Sequence, residues 1–209
     1  MTKDSSVANF LDDLASERPT PGGGGAAAVC GAIGAALVSM VANLTIGKKN
    51  YEAVTEEVKS INAKAEALRA ELTEAIEEDV VAFNAVMSAY GLPRASDDEK
   101  AKRTAAIQAA LRAATLTPLR AVKACFEVIR VSAAIAEKGN LNVISDAGVA
   151  VLAAHAGLRS AALNVFINAK AIKDREFAEK QIAEVNGLLN DAAALTEEVY
   201  QTVRAKIGS

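Results

Sequence analysis

The sequence is poor in the residue types on which several classes of functional site depend. It contains one histidine, two cysteines and no tryptophan, and aromatic residues make up only 4% of its 209 positions. Two cysteines cannot form a disulfide framework, and a single histidine excludes sites built from several histidines. Any chemistry must therefore come from carboxylates, amides, Lys or Arg side chains, or the backbone.

An excess of positive charge is also missing. The chain has 23 Lys and Arg against 26 Asp and Glu, which gives a net charge of −3. Because proteins that bind nucleic acid carry a basic patch, we expect no nucleic-acid partner. Asp4, Asp12 and Asp13 occupy the N-terminal segment, where a signal peptide would need an unbroken apolar run, so we expect a cytoplasmic protein.

The composition favours helices. Hydrophobic residues account for 51% of the chain, only four residues are proline, and alanine, the best helix former, is frequent throughout. Apolar residues recur every three or four positions from about Tyr51 to Tyr90, and similar patterns occupy most of the chain. Pro118 interrupts one such pattern and is predicted to kink or restart its helix. We predict one all-α domain over residues 1–209, an orthogonal or up-down bundle of about seven helices with a long central helix.

Capping signals divide the chain into these helices. Ser96 and Glu99 form a capping-box pattern, and Asp174 precedes the last predicted helix. Ser145 and Asp146 stand where the N-cap of another helix is expected.

A glycine-rich loop leads into an uncharged segment. Residues 19–25 read Pro-Thr-Pro-Gly-Gly-Gly-Gly, and residues 26–46 carry no charged side chain. That segment is long enough to span a bilayer, but its Ala, Gly and polar residues favour a helix buried on all sides of a bundle, and no membrane partner. Small residues at every fourth position, Ala27, Gly31 and Ala35, predict the close approach of another helix. The loop itself is either a connector or a binding site for an anionic or planar ligand, since it offers free backbone donors at a helix N-terminus.

Asp79 is the sharpest candidate for a functional side chain. It lies on the apolar stripe of the long helix, in the slot between Ile76 and Phe83. A carboxylate there loses hydration that only a partner, a cavity or a cationic ligand replaces. The sequence leaves two interpretations open, a structural ion pair with Lys or Arg and a functional carboxylate.

Three further groups of polar residues have both a structural and a functional interpretation. They are the cations after the uncharged segment, a polar turn and a polar stripe on a later helix: Lys48 and Lys49; Asn140, Asn142, Ser145 and Asp146; and Ser160, Asn164 and Asn168. The cations suit the negative end of a helix dipole, and the turn residues suit capping. Buried amides need partners, which either neighbouring helices or a polar heterocycle would supply.

Short motifs follow one another from about Phe10 to Arg204. They are Pro-Gly-Gly-Gly-Gly-Ala-Ala-Ala at 21–28, Leu-Thr-Ile-Gly-Lys-Lys at 44–49, Asp79 with Ala82 and Phe83, Leu92-Pro93 with Lys100 and Arg103-Thr104-Ala105, Pro118-Leu119, Gly139-Asn140 with Ser145-Asp146, and Asn164-Val165 with Ile167-Asn168. In this order they resemble the C-terminal family of formiminotransferase-cyclodeaminase. Each motif is short, but their joint order is specific.

The resemblance implies a folate enzyme of one-carbon metabolism, with an all-helical fold that assembles as dimers or multiples of dimers. The family includes formiminotetrahydrofolate cyclodeaminases and stand-alone methenyltetrahydrofolate cyclohydrolases. Because no formiminotransferase segment is fused to this sequence, we expect hydrolysis of methenyltetrahydrofolate to formyltetrahydrofolate, with the cyclodeaminase reaction as the alternative. The alternative from another class is a helical scaffold. No metal and no cofactor beyond the folate substrate are expected.

The resemblance also implies site residues. Asp79 would orient or deprotonate the attacking water, and Lys48 would donate a hydrogen bond to the developing formyl oxygen. The implied substrate-binding residues come from the loop, the polar turn and the later helix: Gly22, Gly23, Gly24, Gly25, Asn140, Asn142, Ser145, Asp146 and Asn168. Gly25 replaces a serine that is frequent in the family, so a hydroxyl contact is lost there or is replaced by water or backbone.

Overall fold

The computed structural model describes residues 2–208, and every regular element among them is helical. Six α-helices follow one another: α1 (Val7–Leu14), α2 (Gly23–Asn43), α3 (Thr55–Tyr90), α4 (Asp97–Lys138), α5 (Ile144–Lys170) and α6 (Arg175–Gly208). Short 3-10 turns precede α1, α3 and α5: Thr2–Asp4, Glu52–Val54 and Leu141–Val143. The all-α prediction is confirmed.

Fewer helices form than the pattern predicted, because Pro118 does not interrupt α4. This helix continues for 42 residues with Pro118 in its interior. A proline has no N–H for the carbonyl four residues earlier, which here belongs to Ala114. The side chain of Asn168 on α5 supplies the missing donor, with Nδ2 lying 2.7 Å from the Ala114 oxygen. The backbone carbonyl is therefore satisfied without a break in the helix.

The predicted helix ends are correct at two positions and wrong at one. The capping box that begins at Ser96 is present, and Asp174 accepts a hydrogen bond from the backbone at the start of α6. The predicted cap at Ser145 and Asp146 is wrong, because α5 begins earlier, at Ile144, directly after the 3-10 turn.

Helix α4 is the long central helix, since it packs against α2, α3, α5 and α6. Helix α2 lies between α3 and α5, and α6 covers α5. The largest completely buried side chains come from all five of the long helices: Val38, Val41, Val58, Leu72, Val122, Val128, Ile129, Ile135, Val151, Leu158, Val165 and Val185. Burial of these aliphatic side chains is the main force that holds the bundle together.

Helices α2 and α5 approach each other as closely as the small residues predicted. A Cβ atom added at Gly157 would lie 2.8 Å from the Ala27 oxygen and 2.9 Å from the Gly31 nitrogen. A Cβ atom at Gly34 would lie 2.8 Å from the Ala150 oxygen. Because contacts on α5 run backwards along α2, the two helices are antiparallel neighbours.

The expectation that α2 is buried on all sides is wrong within one chain. Ile33, Met40 and Leu44 are 49%, 38% and 39% exposed, so one face of the helix meets solvent. The segments Gly23–Asn43 and Leu141–Lys170 are long and apolar enough to cross a membrane by length and composition only. The core helix of a soluble protein passes the same test, and the inward faces of both segments form part of this core.

Glycine-to-alanine substitutions should change stability in opposite directions at the contact between α2 and α5 and at an open position of α6. Gly157→Ala should lower the free energy of unfolding by about 1–3 kcal/mol, because its methyl group meets backbone atoms that cannot rotate away. Gly187→Ala, where no atom lies within 4 Å of the new Cβ, should raise it by about 0.5–1 kcal/mol through helix propensity. Urea unfolding of both variants checks this. Equal effects would contradict the close approach.

Candidate active site

A pocket of about 370 Å³ opens at the N-terminal end of α2. Helix α3 contributes one face of it, with Asp79, Ala82, Phe83 and Val86 at helical spacings of three and four. The loop before α2, α4 and α5 provide the remaining walls: Pro19, Thr20, Gly22, Gly23, Gly24, Ala114, Asn164, Ile167 and Asn168. Four segments that are distant in sequence therefore meet around Asp79.

The carboxylate of Asp79 is half-buried against the first turn of α2. The Gly25 N–H donates a hydrogen bond to Asp79 Oδ2 over 3.1 Å. Burial raises the pKa of this carboxyl group above its ordinary value of 3.8, and the Gly25 bond opposes part of that rise. None of the ion pairs within residues 2–208 includes Asp79. The structure therefore excludes the ion-pair interpretation for this part of the chain and leaves the cavity as the reason for a carboxylate here.

Glycine is required at one position of the loop because Asp79 lies directly against it. A Cβ atom at Gly24 would be 2.1 Å from Asp79 Oδ1 and 2.4 Å from its Cγ. A Cβ atom at Gly23 would meet nothing within 4 Å, and one at Gly25 would make only ordinary contacts. The run of glycines thus lets α3 present its carboxylate at the start of α2.

Two amide side chains of α5 present their oxygens as available acceptors. Asn164 Nδ2 donates to the Ser160 oxygen over 3.0 Å, and Asn168 Nδ2 donates to the Ala114 oxygen over 2.7 Å. A carbonyl oxygen only accepts, so these bonds determine which end of each amide is the nitrogen. Asn164 belongs to the polar stripe found in the sequence, although only Asn168 was predicted to bind substrate.

Some pocket residues were not predicted as site residues. Val86 and Ala114 have no distinctive sequence signal, because each reaches the pocket only through the packing of long helices. Thr20 did carry a signal, since it belongs to the loop at residues 19–25 that was a candidate binding site. Two pocket residues did carry a sequence signal, because Phe83 lies one helical turn after Asp79 and Ile167 directly precedes Asn168.

Lys48 lies at the opposite end of α2 from Asp79. The glycine loop precedes this helix and Lys48 follows it, in an exposed turn. Because α2 has 21 residues, its two ends are about 30 Å apart. Lys48 and Asp79 therefore lie far apart within one chain, and the predicted catalytic role of Lys48 stays a prediction.

The polar turn also lies at that opposite end. Asn140 donates from Nδ2 to the Leu44 oxygen over 2.8 Å, and its N–H donates to Thr45 Oγ1 over 2.9 Å. Its Oδ1 accepts from the Asn142 N–H, so the polar atoms of Asn140 stabilise the turn. None of Asn140, Asn142, Ser145 and Asp146 lines the Asp79 pocket. Within one chain these residues therefore lie away from Asp79, and their predicted role in substrate binding stays a prediction.

Comparison with known protein families matches residues 6–187 to the family described as formiminotransferase-cyclodeaminase. The chain belongs to this family. The predicted resemblance is thus confirmed, over most of the region that its motifs covered.

Individual members of the family show the same relationship. The chain is 59% identical over 207 residues to a methenyltetrahydrofolate cyclohydrolase of Methylorubrum extorquens, covering 99% of this chain and 100% of that protein. It is 32% identical over 203 residues to a formimidoyltransferase-cyclodeaminase of Rattus norvegicus, of which it spans 38%. The crystal structure of formiminotetrahydrofolate cyclodeaminase from Thermotoga maritima matches with a TM-score of 0.82 and 33% identity, over 99% of this chain and 97% of that one.

The contact between Gly24 and Asp79 predicts a strong effect of a single methyl group. Gly24→Ala should move the carboxylate out of its present place and lower turnover by about 100-fold, the usual scale for one catalytic group. Gly23→Ala adds the same group into open space and should cause a smaller loss. Kinetics of both purified variants test the difference. Equal losses would show that the contact with Asp79 is unimportant.

The raised pKa of Asp79 predicts how stability depends on pH. A carboxyl group whose pKa is higher in the folded state destabilises that state once it is ionised, so the wild type loses stability as pH rises from 3.8 through the raised value. Asp79→Asn should therefore melt at a higher temperature at neutral pH, and this gain should vanish at pH values below 3.8. Asp12→Asn, at an exposed carboxylate of α1, is the control. A lower melting temperature for Asp79→Asn would reveal a cationic partner.

Proposed function

We propose that this chain is a methenyltetrahydrofolate cyclohydrolase, which hydrolyses methenyltetrahydrofolate to formyltetrahydrofolate. The main observation is the Asp79 carboxylate, which has no cationic partner within residues 2–208 and faces a pocket of suitable size. The 59% identity to a protein of that name supports the assignment over the whole chain. A scaffold protein would instead need a large apolar groove and no polar pocket.

The substrate explains why a carboxylate without a cationic partner is useful. The carbon that bridges two folate nitrogens carries delocalised positive charge, which a partly dehydrated carboxylate stabilises strongly. In our proposal, Asp79 takes a proton from a water molecule as its oxygen bonds to that carbon. The bond from the carbon to one nitrogen then breaks as Asp79 returns its proton to this nitrogen, and the hydroxyl proton of the adduct is released to solvent, which leaves the formyl group on the other nitrogen. One water molecule is consumed, and Asp79 ends in its starting state.

The other pocket residues have properties that suit a reduced pterin. Phe83, Val86 and Ile167 provide apolar surface for fused rings, and the oxygens of Asn164 and Asn168 are acceptors for ring or amino N–H groups. A pocket of about 370 Å³ lies at the smaller end of the usual range for ligand sites, so we propose that it encloses the ring system while the remainder of the folate extends outside.

We propose that the substrate is the only small molecule required and that the enzyme works in the cytoplasm. Among residues 2–208, no three His, Cys, Asp or Glu side chains are grouped so that they could hold a metal ion. The expectation of no metal and no further cofactor stays a prediction. Activity after treatment with a chelator would test it.

We also propose that the protein is a homodimer, paired through an exposed apolar surface of α2 and α5. The name α2/α5 surface denotes the exposed large apolar residues on or directly after these helices: Ile33, Met40, Leu44, Val149, Leu152, Leu163 and Ile167. Among them, Met40 and Leu44 border α3, and Val149 and Leu152 border α6. Leu163 and Ile167 are 67% and 65% exposed, which is unusual for large aliphatic residues on adjacent helices. A two-fold axis would bury the same surface on both copies.

An antiparallel pairing of two subunits would also change which site Lys48 lies near. If two α2 helices cross near their midpoints in opposite directions, the C-terminal end of one helix lies beside the N-terminal end of the other. The predicted roles of Lys48, Asn140, Asn142, Ser145 and Asp146 therefore remain predictions for a site completed by the partner subunit.

The dimer has a direct test. Light scattering of the wild type should give twice the mass of the 21.6 kDa chain. Ile33→Asp should shift the protein to monomer, because it would place a charge in a desolvated interface. Val7→Asp changes a residue that is equally apolar and more exposed, but outside the α2/α5 surface, and should leave the dimer intact. A monomeric wild type, or dissociation by both variants, would contradict the proposal.

The proposed activity is tested by two assays on the same preparation. The wild type should consume methenyltetrahydrofolate, followed by loss of its chromophore, faster than it releases ammonia from formiminotetrahydrofolate. Asp79→Asn should lower turnover per folded molecule by about 100-fold or more, because Asn neither accepts a proton nor carries charge. Faster release of ammonia would instead assign the cyclodeaminase reaction, and inactivity in both assays would overturn the folate assignment.

A further inference from the structure

We infer that Pro118 is a positioning residue for the ligand pocket, because it leaves the Ala114 carbonyl free to orient the side chain of Asn168. The inference rests on the proposed function only for the identity of the ligand. Pro118 is buried within α4 and does not line the 370 Å³ pocket, but it lines a smaller cavity that Gly24 and Asp79 also line. An effect through Asn168 therefore has to be separated from a direct effect beside Asp79, which would lower kcat rather than raise KM.

Pro118 leaves a gap in the backbone hydrogen bonds of α4. In a regular helix, the N–H of residue 118 would donate to the carbonyl of residue 114. Pro118 has no such N–H, yet α4 continues without a break on both sides of it. Ala114 is only 5% exposed, so water has little access to its carbonyl group. An unpaired carbonyl there would be costly to the fold.

The Ala114 carbonyl fixes the orientation of the Asn168 side chain. The Ala114 oxygen accepts from Nδ2 over 2.7 Å, a short bond for an amide donor. Rotating the amide by half a turn would place two oxygens against each other. Nδ2 therefore stays on α4, and Oδ1 together with the second N–H of Nδ2 is available to a molecule in the pocket that Asn168 lines.

This orientation of Asn168 selects for a particular ligand chemistry. An amide oxygen accepts hydrogen bonds, so it favours a ring edge that carries N–H groups. The aminopyrimidine half of a reduced pterin has such an edge, with an amino group beside a ring N–H. Within residues 2–208, Asp79 accepts from the Gly25 N–H and Asn168 donates to the Ala114 oxygen, and no hydrogen bond joins the two side chains. The contact of Asn168 with a ligand should therefore affect substrate binding more than the chemical step.

Pro118→Ala is the variant that tests this chain of contacts. Alanine restores the N–H, and the Ala114 carbonyl then takes the ordinary helical bond and no longer depends on Asn168. The variant should fold, because alanine is far better suited to a helix interior than proline. We expect KM for methenyltetrahydrofolate to rise several-fold, with kcat changed less than KM.

Asn168→Ala and the double variant separate positioning from a general structural effect. Asn168→Ala alone should raise KM roughly tenfold, the scale of one lost hydrogen bond. If Pro118 acts through Asn168, adding Pro118→Ala to Asn168→Ala should raise KM no further. Independent, multiplying effects of the two substitutions on KM would overturn the inference.

Gln108→Ala is a matched control for the loss of a contact between α4 and the end of α5. Gln108 Nε2 donates to the Ala171 oxygen over 3.2 Å, and its Oε1 accepts from the Lys173 N–H over 2.7 Å. The residue lies outside the pocket, so this variant should change the melting temperature without raising KM. A rise in KM equal to that of Pro118→Ala would show that any weakening between these elements suffices, and would overturn the inference.

A spectroscopic measurement tests the same contact without any substrate. In protein labelled with ¹⁵N at asparagine, the Nδ2 hydrogen of Asn168 that faces Ala114 should exchange slowly with water. In Pro118→Ala this protection should be lost or strongly reduced, and Asn168→Ala assigns the signal. An unchanged Asn168 signal would overturn the inference whatever the enzyme does, whereas a wild type that is inactive with folates would overturn only the proposed function.

Discussion

The site depends on one contact, the hydrogen bond from the Gly25 N–H to the carboxylate of Asp79. It joins the start of α2 to the middle of α3 and holds an acidic side chain at the positive end of a helix dipole. The contact is possible only because Gly24 has no side chain, since a Cβ atom there would overlap the carboxylate. A single backbone donor compensates only part of the lost hydration, so the carboxylate retains a raised pKa and an affinity for a proton or a cation.

Close packing of small residues brings the remaining walls of the pocket to this contact. Gly31 and Gly157 allow α2 to approach both α4 and α5, which places Ala114 and Asn168 opposite Asp79. The same packing directs the large aliphatic residues of α2 and α5 outwards. One arrangement of backbones therefore accounts for both the enclosed pocket and the exposed α2/α5 surface.

The fold could be predicted because its signals are local. Helical periodicity identified the long helices, and Asp79 was recognisable as a carboxylate in an otherwise apolar stripe. The helical walls of the pocket were harder to predict, because Val86 and Ala114 reach it only through tertiary packing. Pro118 shows where a local rule fails. The hydrogen bond that Pro118 cannot make is replaced by one from Asn168, fifty residues later in the chain, and no local sequence pattern predicts such a bond.

The placement of Lys48 and the polar turn could not be predicted from motif order alone. Motifs that are neighbours in a family pattern can lie at opposite ends of one helix, as the loop before α2 and the turn after it do here. Their separation divides the predicted residues into a group that lines the pocket and a group that would need the partner subunit. The order of motifs therefore identified the family correctly but carried no information on distance.

Asp79 is a partly desolvated carboxylate at the entrance to α2, and no cationic side chain within residues 2–208 pairs with it. Its own titration tests this most directly. In protein labelled with ¹³C at the aspartate carboxyl groups, Asp79→Asn assigns the Asp79 signal, and its chemical shift is followed against pH in the free protein. We predict a pKa above the ordinary value of 3.8. A pKa at or below 3.8 would mean that hydrogen bonds or a cation dominate over burial, and it would contradict this description of the site.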